Sequence, residues 1–178
     1  ENRATFTELL FMAVAKFRRE CLADGFRAFV RLNAASDLAW EKLCPELFTT
    51  FADVTFYDYT KVYNRALAYA SGKFPANYHL TFSASERSTD SQLRTLLELG
   101  ANVSIVCDSA WNPQQGIIGR IPKTLTIGGK RFRVVDGDKH DFRTPETDGV
   151  GVVVMLRAKG GIVAAIQSVL AGFARRVR

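Results

Sequence analysis

The chain has 178 residues, of which 47% are apolar, and its 24 Lys and Arg exceed its 18 Asp and Glu to give a formal net charge of +6. This length and composition are typical of a globular protein, and we expect residues 1–178 to form a single α/β domain. No apolar run is long enough to span a membrane, the first residues lack a signal-peptide pattern, and the 3 cysteines are too far apart for a disulfide framework, so a cytoplasmic protein is expected.

A helix and four strands are predicted in the first two thirds of the chain. Apolar residues at helical spacing predict the helix over Thr5 to Ala23, which Asp24-Gly25 ends. Alternating apolar and polar residues then predict strands, with helical segments between them, over residues 27–33, 54–59, 78–83 and 103–108.

The even spacing of these strands is typical of repeated βα units, in which right-handed crossovers join parallel strands. The fold class expected is therefore α/β, with either a mainly parallel sheet or a partial, distorted TIM-like barrel. Between the strands, Ser36 or Asp37 is expected to cap one helix and Ser88 or Thr89 a later one.

The pattern changes after residue 111. Gly128-Gly129, flanked by alternating segments, predicts a β-hairpin near residues 124–135. Residues 151–156 are continuously apolar and suit a strand in the sheet interior. Gly161 to Val177 carries apolar residues at helical spacing and predicts a terminal helix with an arginine-rich end.

Strand alternation predicts which side chains form the core. The apolar members of the proposed strands are assigned to it: Val30, Leu32, Phe56, Leu80, Phe82, Ile105, Val152 and Val154. Polar residues recur on the opposite face of several strands, which indicates a shared cavity or a solvent-exposed sheet face.

The residues just after each strand are the candidates for a binding site, because ligands of open parallel sheets and of barrels bind beyond the carboxyl ends of the strands. The residues proposed to hold a substrate are Arg31, Asn33, Lys61, Ser83, Asp108 and Lys159. Acid–base chemistry is assigned to Asp58, His79 and Asp136. The sharpest form of this hypothesis is that one cavity collects Arg31, Asp58, His79, Asp108 and Asp136.

A dense group of ionisable residues follows the hairpin. It comprises Asp136, Asp138, His140 and Asp141. Oxygen ligands with one histidine suit Mg²⁺ or Mn²⁺, which would be the cofactor of phosphate ester chemistry. An Asp-Gly-Asp turn without any metal is the other interpretation.

Several segments resemble, in order, a family of phage and prophage proteins. They are RLNAASDLAWE, FADVTFYDYTK, NYHLTFSASE and VVDGDKHDFR, followed by GVGVVVMLRAKG. In that family an upstream cysteine-rich segment is similar to radical S-adenosylmethionine barrels, which implies a TIM-like fold. This sequence lacks those cysteines: either it is a truncated or processed form, or this member departs from the pattern. The resemblance therefore gives no basis for assigning an iron–sulfur cluster to these residues. The family's motif residues fall on Asn33, Ser36, Asp37, Trp40, Glu41, Asp58, Tyr59, Lys61, His79, Ser83, Asp136, Asp138, Asp141, Arg143 and Lys159.

Two functions are compatible with the sequence. The first is a phage-type enzyme whose polar cavity binds an anionic, phosphate-bearing small molecule through Arg31, Lys61 and Lys159. The alternative is a noncatalytic nucleic-acid-binding protein of phage or plasmid replication, which would use the basic ends and exposed aromatic residues. The residues concerned are 16–19 and 175–178 at the ends, with Tyr57, Tyr63 and Trp111. Solvated helix faces explain the same basic runs.

Overall fold

The computed structural model describes residues 3–112, 116–118 and 120–176, which form a mixed α/β fold. The helices of this part are α1 (Arg3–Ala23), α2 (Trp40–Leu43), α3 (Glu46–Thr50), α4 (Tyr63–Ala70), α5 (Asp90–Glu98), α6 (Pro145–Asp148) and α7 (Gly161–Leu170). The strands are β1 (Phe29–Arg31), β2 (Thr55–Thr60), β3 (Tyr78–Ser83), β4 (Asn102–Asn112), β5 (Gly116–Ile118), β6 (Thr124–Ile127), β7 (Lys130–Asp136), β8 (Val153–Ala158) and β9 (Ala174–Arg175).

The strands form one open, mainly parallel sheet. Its path runs β1-β2-β3-β4-β8-β7-β6, and β5 and β9 pair with β4. Every neighbouring pair from β1 to β7 along this path is parallel, and β6 is antiparallel to β7. Because β1 and β6 stand at opposite ends of the path and do not pair within the described residues, the predicted parallel sheet is confirmed and the TIM-like barrel is not.

The helices α1 to α5 cover one face of the sheet. Phe48 of α3 packs on Phe56 and Tyr78. Leu96 of α5 belongs to the core that contains Ile105. Since β1 to β4 are adjacent in chain order, right-handed crossovers between them place the connecting helices on the same side.

The opposite face is covered by the connection between β7 and β8 and by α7. Phe142 of this connection packs against Phe29 at a ring-centroid distance of 4.9 Å and against Tyr57 at 6.3 Å. Further along, Ala165 of α7 packs with Ala158 and Val106. The two coverings meet the sheet at different places, which leaves part of this face open.

Most predicted elements are present, and the core prediction holds in large part. The hairpin is β6 and β7, joined by Gly128 and Gly129, which both have positive φ. The predicted core residues that are buried are Phe56, Leu80, Phe82, Ile105, Val152 and Val154. Val30 and Leu32 are only partly buried, because they lie at the outer edge of the sheet.

Two local predictions are wrong. Neither Ser36 nor Asp37 caps α2, whose N-cap is Ala39 without a side-chain hydrogen bond, whereas Thr89 does cap α5. The terminal helix ends at Leu170 instead of reaching residue 177. Gly172 adopts a φ of +75°, which turns the chain back so that β9 pairs with β4.

Within the ranges that the structure describes, no helix has both the length and the apolar character needed to cross a membrane.

Candidate functional site

A cavity of about 910 Å³ lies at the carboxyl edge of the parallel strands. Arg31 is the last residue of β1, Lys61 follows β2, and Ser83 ends β3. Ser104 lies within β4, and Lys159 follows β8. Four of these residues line the cavity because parallel strands bring their carboxyl ends to one edge of the sheet. Ser104, the third residue of β4, lines it because the register of β3 and β4 places it beside Ser83.

Three basic side chains of the cavity have no carboxylate partner within the described part of the chain. Arg31 donates from Nε to the carbonyl of Asn33 at 3.2 Å, and its guanidinium lies 5.0 Å from the centre of the Tyr59 ring. The ammonium of Lys61 lies 5.6 Å from the centre of the Phe173 ring. Lys159 is exposed. Aromatic rings and a carbonyl hold two of these cations without neutralising them, so their charge remains available to an anion.

Two arginines form a rigid wall of the cavity because their charges are already paired. Arg157 donates to both carboxylate oxygens of Asp136 at 2.9 Å and to Asp138 at 3.1 Å. The hydrogen bond from Arg157 holds the pKa of Asp136 below its ordinary value. Arg143 is 2% exposed and its Nη1 lies 3.5 Å from Asp148.

Arg143 also fixes the connection between β7 and β8 against the sheet. It donates to the hydroxyl of Tyr59 at 2.7 Å and to the carbonyl of His140 at 2.6 Å, and it also donates to the carbonyl of Gly137. A single buried side chain therefore joins β2 to the segment that forms one side of the cavity.

Asp58 belongs to a buried hydrogen-bond network on the helix-covered face. Its carboxylate accepts from the backbone N–H of Asn33 at 2.7 Å, from Asn33 Nδ2 at 3.1 Å and from the Tyr78 hydroxyl at 2.8 Å. Burial raises the pKa of Asp58, and these hydrogen bonds act in the opposite direction. Asp58 and Asn33 are fully satisfied by protein groups, which indicates a structural role.

The network extends to the rim of the cavity through Arg65. Arg65 donates to Tyr78, to Glu41 at 2.9 Å and to Asp37 at 2.8 Å. Asp37 in turn accepts from the backbone N–H of Lys61 at 2.8 Å. The buried network thus fixes the backbone that carries Lys61.

The predicted site residues are divided between the cavity and other places. Those that line it are Arg31, Lys61, Ser83, Asp138, Asp141 and Lys159. His79 is half-buried on the same face as Tyr57, its register partner, but does not line the cavity, and burial lowers its pKa. Asp108 and Asp136 do not line it either. Of the five residues expected to converge, only Arg31 lines the cavity. Asp58 is excluded from it because its side chain lies on the same face of β2 as the buried Phe56.

The four residues predicted to bind Mg²⁺ or Mn²⁺ are not brought together. Asp136 and Asp138 pair with Arg157, while His140 Nδ1 faces the carbonyl of Phe142 at 3.1 Å. Within the described ranges no group of three or more His, Cys, Asp or Glu is arranged to hold a metal ion. The geometry gives this metal site no support.

Sequence reasoning predicted Ser83 but missed Ser104, the second hydroxyl group at the floor of the cavity. Ser104 is 4% exposed, lines the cavity, and its hydroxyl has no hydrogen-bond partner among the described residues. It lies beside Ser83 in the parallel register of β3 and β4. The signal was present, since Ser104 interrupts an apolar run between Val103 and Ile105.

Some of the residues proposed for nucleic-acid binding are ion-paired or buried. Arg18 pairs with Asp53 at 2.6 Å, and Arg175, which lies in β9, pairs with Asp90 at 2.8 Å. Tyr57 is 7% exposed, which contradicts its assignment as a surface aromatic residue. Tyr63 is partly buried against the core, and the side chain of Trp111 lies outside the described part of the chain.

Comparison with known proteins gives a family and no further relatives. A family model described as "Gene product 88" matches residues 1–176, which agrees with the resemblance to phage proteins. That description names no activity, substrate or partner. No curated protein and no solved structure matches the chain.

Proposed function

We propose that this chain, which belongs to the Gene product 88 family of phage proteins, is an enzyme that binds an anionic, phosphate-bearing small molecule in the cavity at the carboxyl edge of its sheet. The observation that carries this proposal is the set of three basic side chains without carboxylate partners in one concavity. These are Arg31, Lys61 and Lys159. Arginine and lysine are the residues that hold phosphate groups most often, as a planar fork and as point charges.

The remaining charges of the cavity do not cancel this positive potential. Asp37 pairs with Arg65, and Asp138 pairs with Arg157. Asp141 is the lining carboxylate without an ion pair in the described chain, so we assign to it the proton transfer that an enzymatic step would need. The volume of about 910 Å³ falls in the range of sites that enclose small molecules.

The test is calorimetric binding of pyrophosphate to the wild-type chain and to charge variants. We expect Arg31→Met and Lys61→Met each to weaken binding by about tenfold or more, since charge-assisted hydrogen bonds contribute about 1.5–3 kcal/mol. Lys73→Met is the matched control, because Lys73 is an exposed lysine that does not line the cavity. It should change the affinity by less than about twofold.

Two results would contradict the proposal. One is a wild-type chain that does not bind pyrophosphate. The other is an equal loss of affinity in Lys73→Met and Lys61→Met, which would indicate a nonspecific response to net charge. A single-stranded oligonucleotide that binds tightly while pyrophosphate does not would favour the nucleic-acid function instead.

A further inference from the structure

The strand order separates the cavity into two basic rims with hydroxyl groups between them. Lys61 follows β2 and Lys159 follows β8, and β3 and β4, which carry Ser83 and Ser104, lie between those two strands. Neighbouring strands are about 4.8 Å apart, so three strand spacings separate β2 from β8 by about 14 Å. Arg31, on β1, adds a second cation on the β2 side.

The floor between the rims is built to bind hydroxyl groups. Ser83 and Ser104 are register partners, so their side chains lie next to each other on the cavity face. Ser104 is 4% exposed and its hydroxyl has no partner among the described residues. The Ser104 hydroxyl is not among the buried unpartnered side-chain atoms of the described residues, which are Asp148 Oδ2 and Arg157 Nε. Because Ser104 lines the cavity, a ligand hydroxyl can bond to it there in place of water.

The aromatic rings of the cavity are already used by cations. The Arg31 guanidinium stands over Tyr59, and the Lys61 ammonium stands near Phe173. Tyr59 is further fixed by the hydrogen bond from Arg143 to its hydroxyl. Stacking of a nucleobase would have to displace these contacts, which argues against a nucleotide.

We infer that the ligand of this cavity is a compact polyhydroxylated molecule with an anionic group at each end, in the class of the sugar bisphosphates; this inference rests on the proposed function. One anion meets Arg31 and Lys61, the other meets Lys159, and the hydroxyl groups between them bond to Ser83 and Ser104. To contact a single phosphate, the ammonium groups of Lys61 and Lys159 would both have to move inward over the serines, and Lys61 would lose its contact with Phe173. Two separate anionic groups can bind these lysines without such a movement.

The experiment compares three probes by calorimetry: fructose 1,6-bisphosphate, fructose 6-phosphate and pyrophosphate. In the wild-type chain the bisphosphate should bind at least about tenfold more tightly than the monophosphate. Lys159→Met should reduce that preference to less than about twofold. Ser104→Ala should weaken binding of the bisphosphate by about threefold to tenfold, which is the contribution of one hydrogen bond, and should leave the affinity for pyrophosphate within about twofold.

Ser83→Ala provides the same test at a less buried position, in case Ser104→Ala does not fold; circular dichroism checks each variant. Equal affinities of the wild-type chain for the two sugar phosphates would overturn the inference. The inference would also be overturned if Lys159→Met weakened the binding of both sugar phosphates to the same extent. In those cases pyrophosphate binding that depends on Arg31 and Lys61 would still support the proposed function. Failure of all three probes to bind the wild-type chain would overturn both.

Discussion

Replacing Tyr78 by Phe tests whether Asp58 is part of the fold and not of the site. The Tyr78 side chain is fully buried, and its hydroxyl donates to Asp58 and accepts from Arg65, both at 2.8 Å. Burial raises the pKa of Tyr78, so the hydroxyl keeps its proton and its role as donor. Hydrogen bonds to charged groups contribute about 1.5–3 kcal/mol each, but both partners keep other hydrogen bonds, so we expect the free energy of unfolding to fall by about 2–4 kcal/mol.

The assay is urea unfolding followed by circular dichroism, with pyrophosphate affinity measured on the folded variant. Affinity should stay within about twofold, because neither Asp58 nor Tyr78 lines the cavity. Arg65 keeps its hydrogen bonds to Glu41 and Asp37 in the variant, and Asp37 still fixes the backbone of Lys61. Tyr63→Phe is the matched control, since the Tyr63 hydroxyl has no partner in the described chain, and it should change stability by less than about 0.5 kcal/mol. A Tyr78→Phe variant as stable as this control would refute the network. Unchanged stability with a loss of pyrophosphate affinity would instead support a role for Asp58 in the binding site.

Two further predictions concern β3. Burial lowers the pKa of His79 from 6.5, so the unfolded chain takes up a proton at a higher pH than the folded chain does. The free energy of unfolding should therefore fall as the pH drops below 6.5 through the lower folded-state pKa. His79→Gln should flatten this part of the pH profile, and identical profiles for the two proteins would contradict the burial of His79. Leu80 is 2% exposed in the core, so Leu80→Ala should cost about 2–5 kcal/mol in urea unfolding, and an unchanged midpoint would show that its face is misassigned.

The strands were predictable where their alternation is regular. In β3, Tyr78, Leu80 and Phe82 alternate with His79, Thr81 and Ser83, and the structure buries the first set against the helices. The choice between an open sheet and a barrel was not predictable, because βα spacing is the same in both. Closure depends on which strands pair at the ends of the path, and here β6 ends it in an antiparallel hairpin.

The site was predictable only at the strand ends. Arg31, Lys61 and Lys159 were identified because long basic side chains directly at the carboxyl ends of parallel strands point to the same edge. Asp58 does not line the cavity, and its alternation with Phe56 already marks the buried face of β2. The pairing of Arg157 with Asp136 depends on how residues after β7 fold back over the sheet, and no local pattern encodes that.

The cavity exists because the chain covers the two sheet faces by different means. Right-handed crossovers place α2 to α5 on one face, where α1 also packs, and these helices bury the apolar side chains of β2, β3 and β4. The other face is covered by the connection between β7 and β8, which contains the short helix α6, and by α7. Arg143 fixes this connection by donating to Tyr59 and to carbonyls of the connection itself. Phe142 of this connection packs on Phe29 of β1 and Tyr57 of β2, whereas α7 packs on Val106 and Ala158. The hydroxyl groups of Ser83 and Ser104 are therefore left facing the cavity, between cations that the fold does not neutralise.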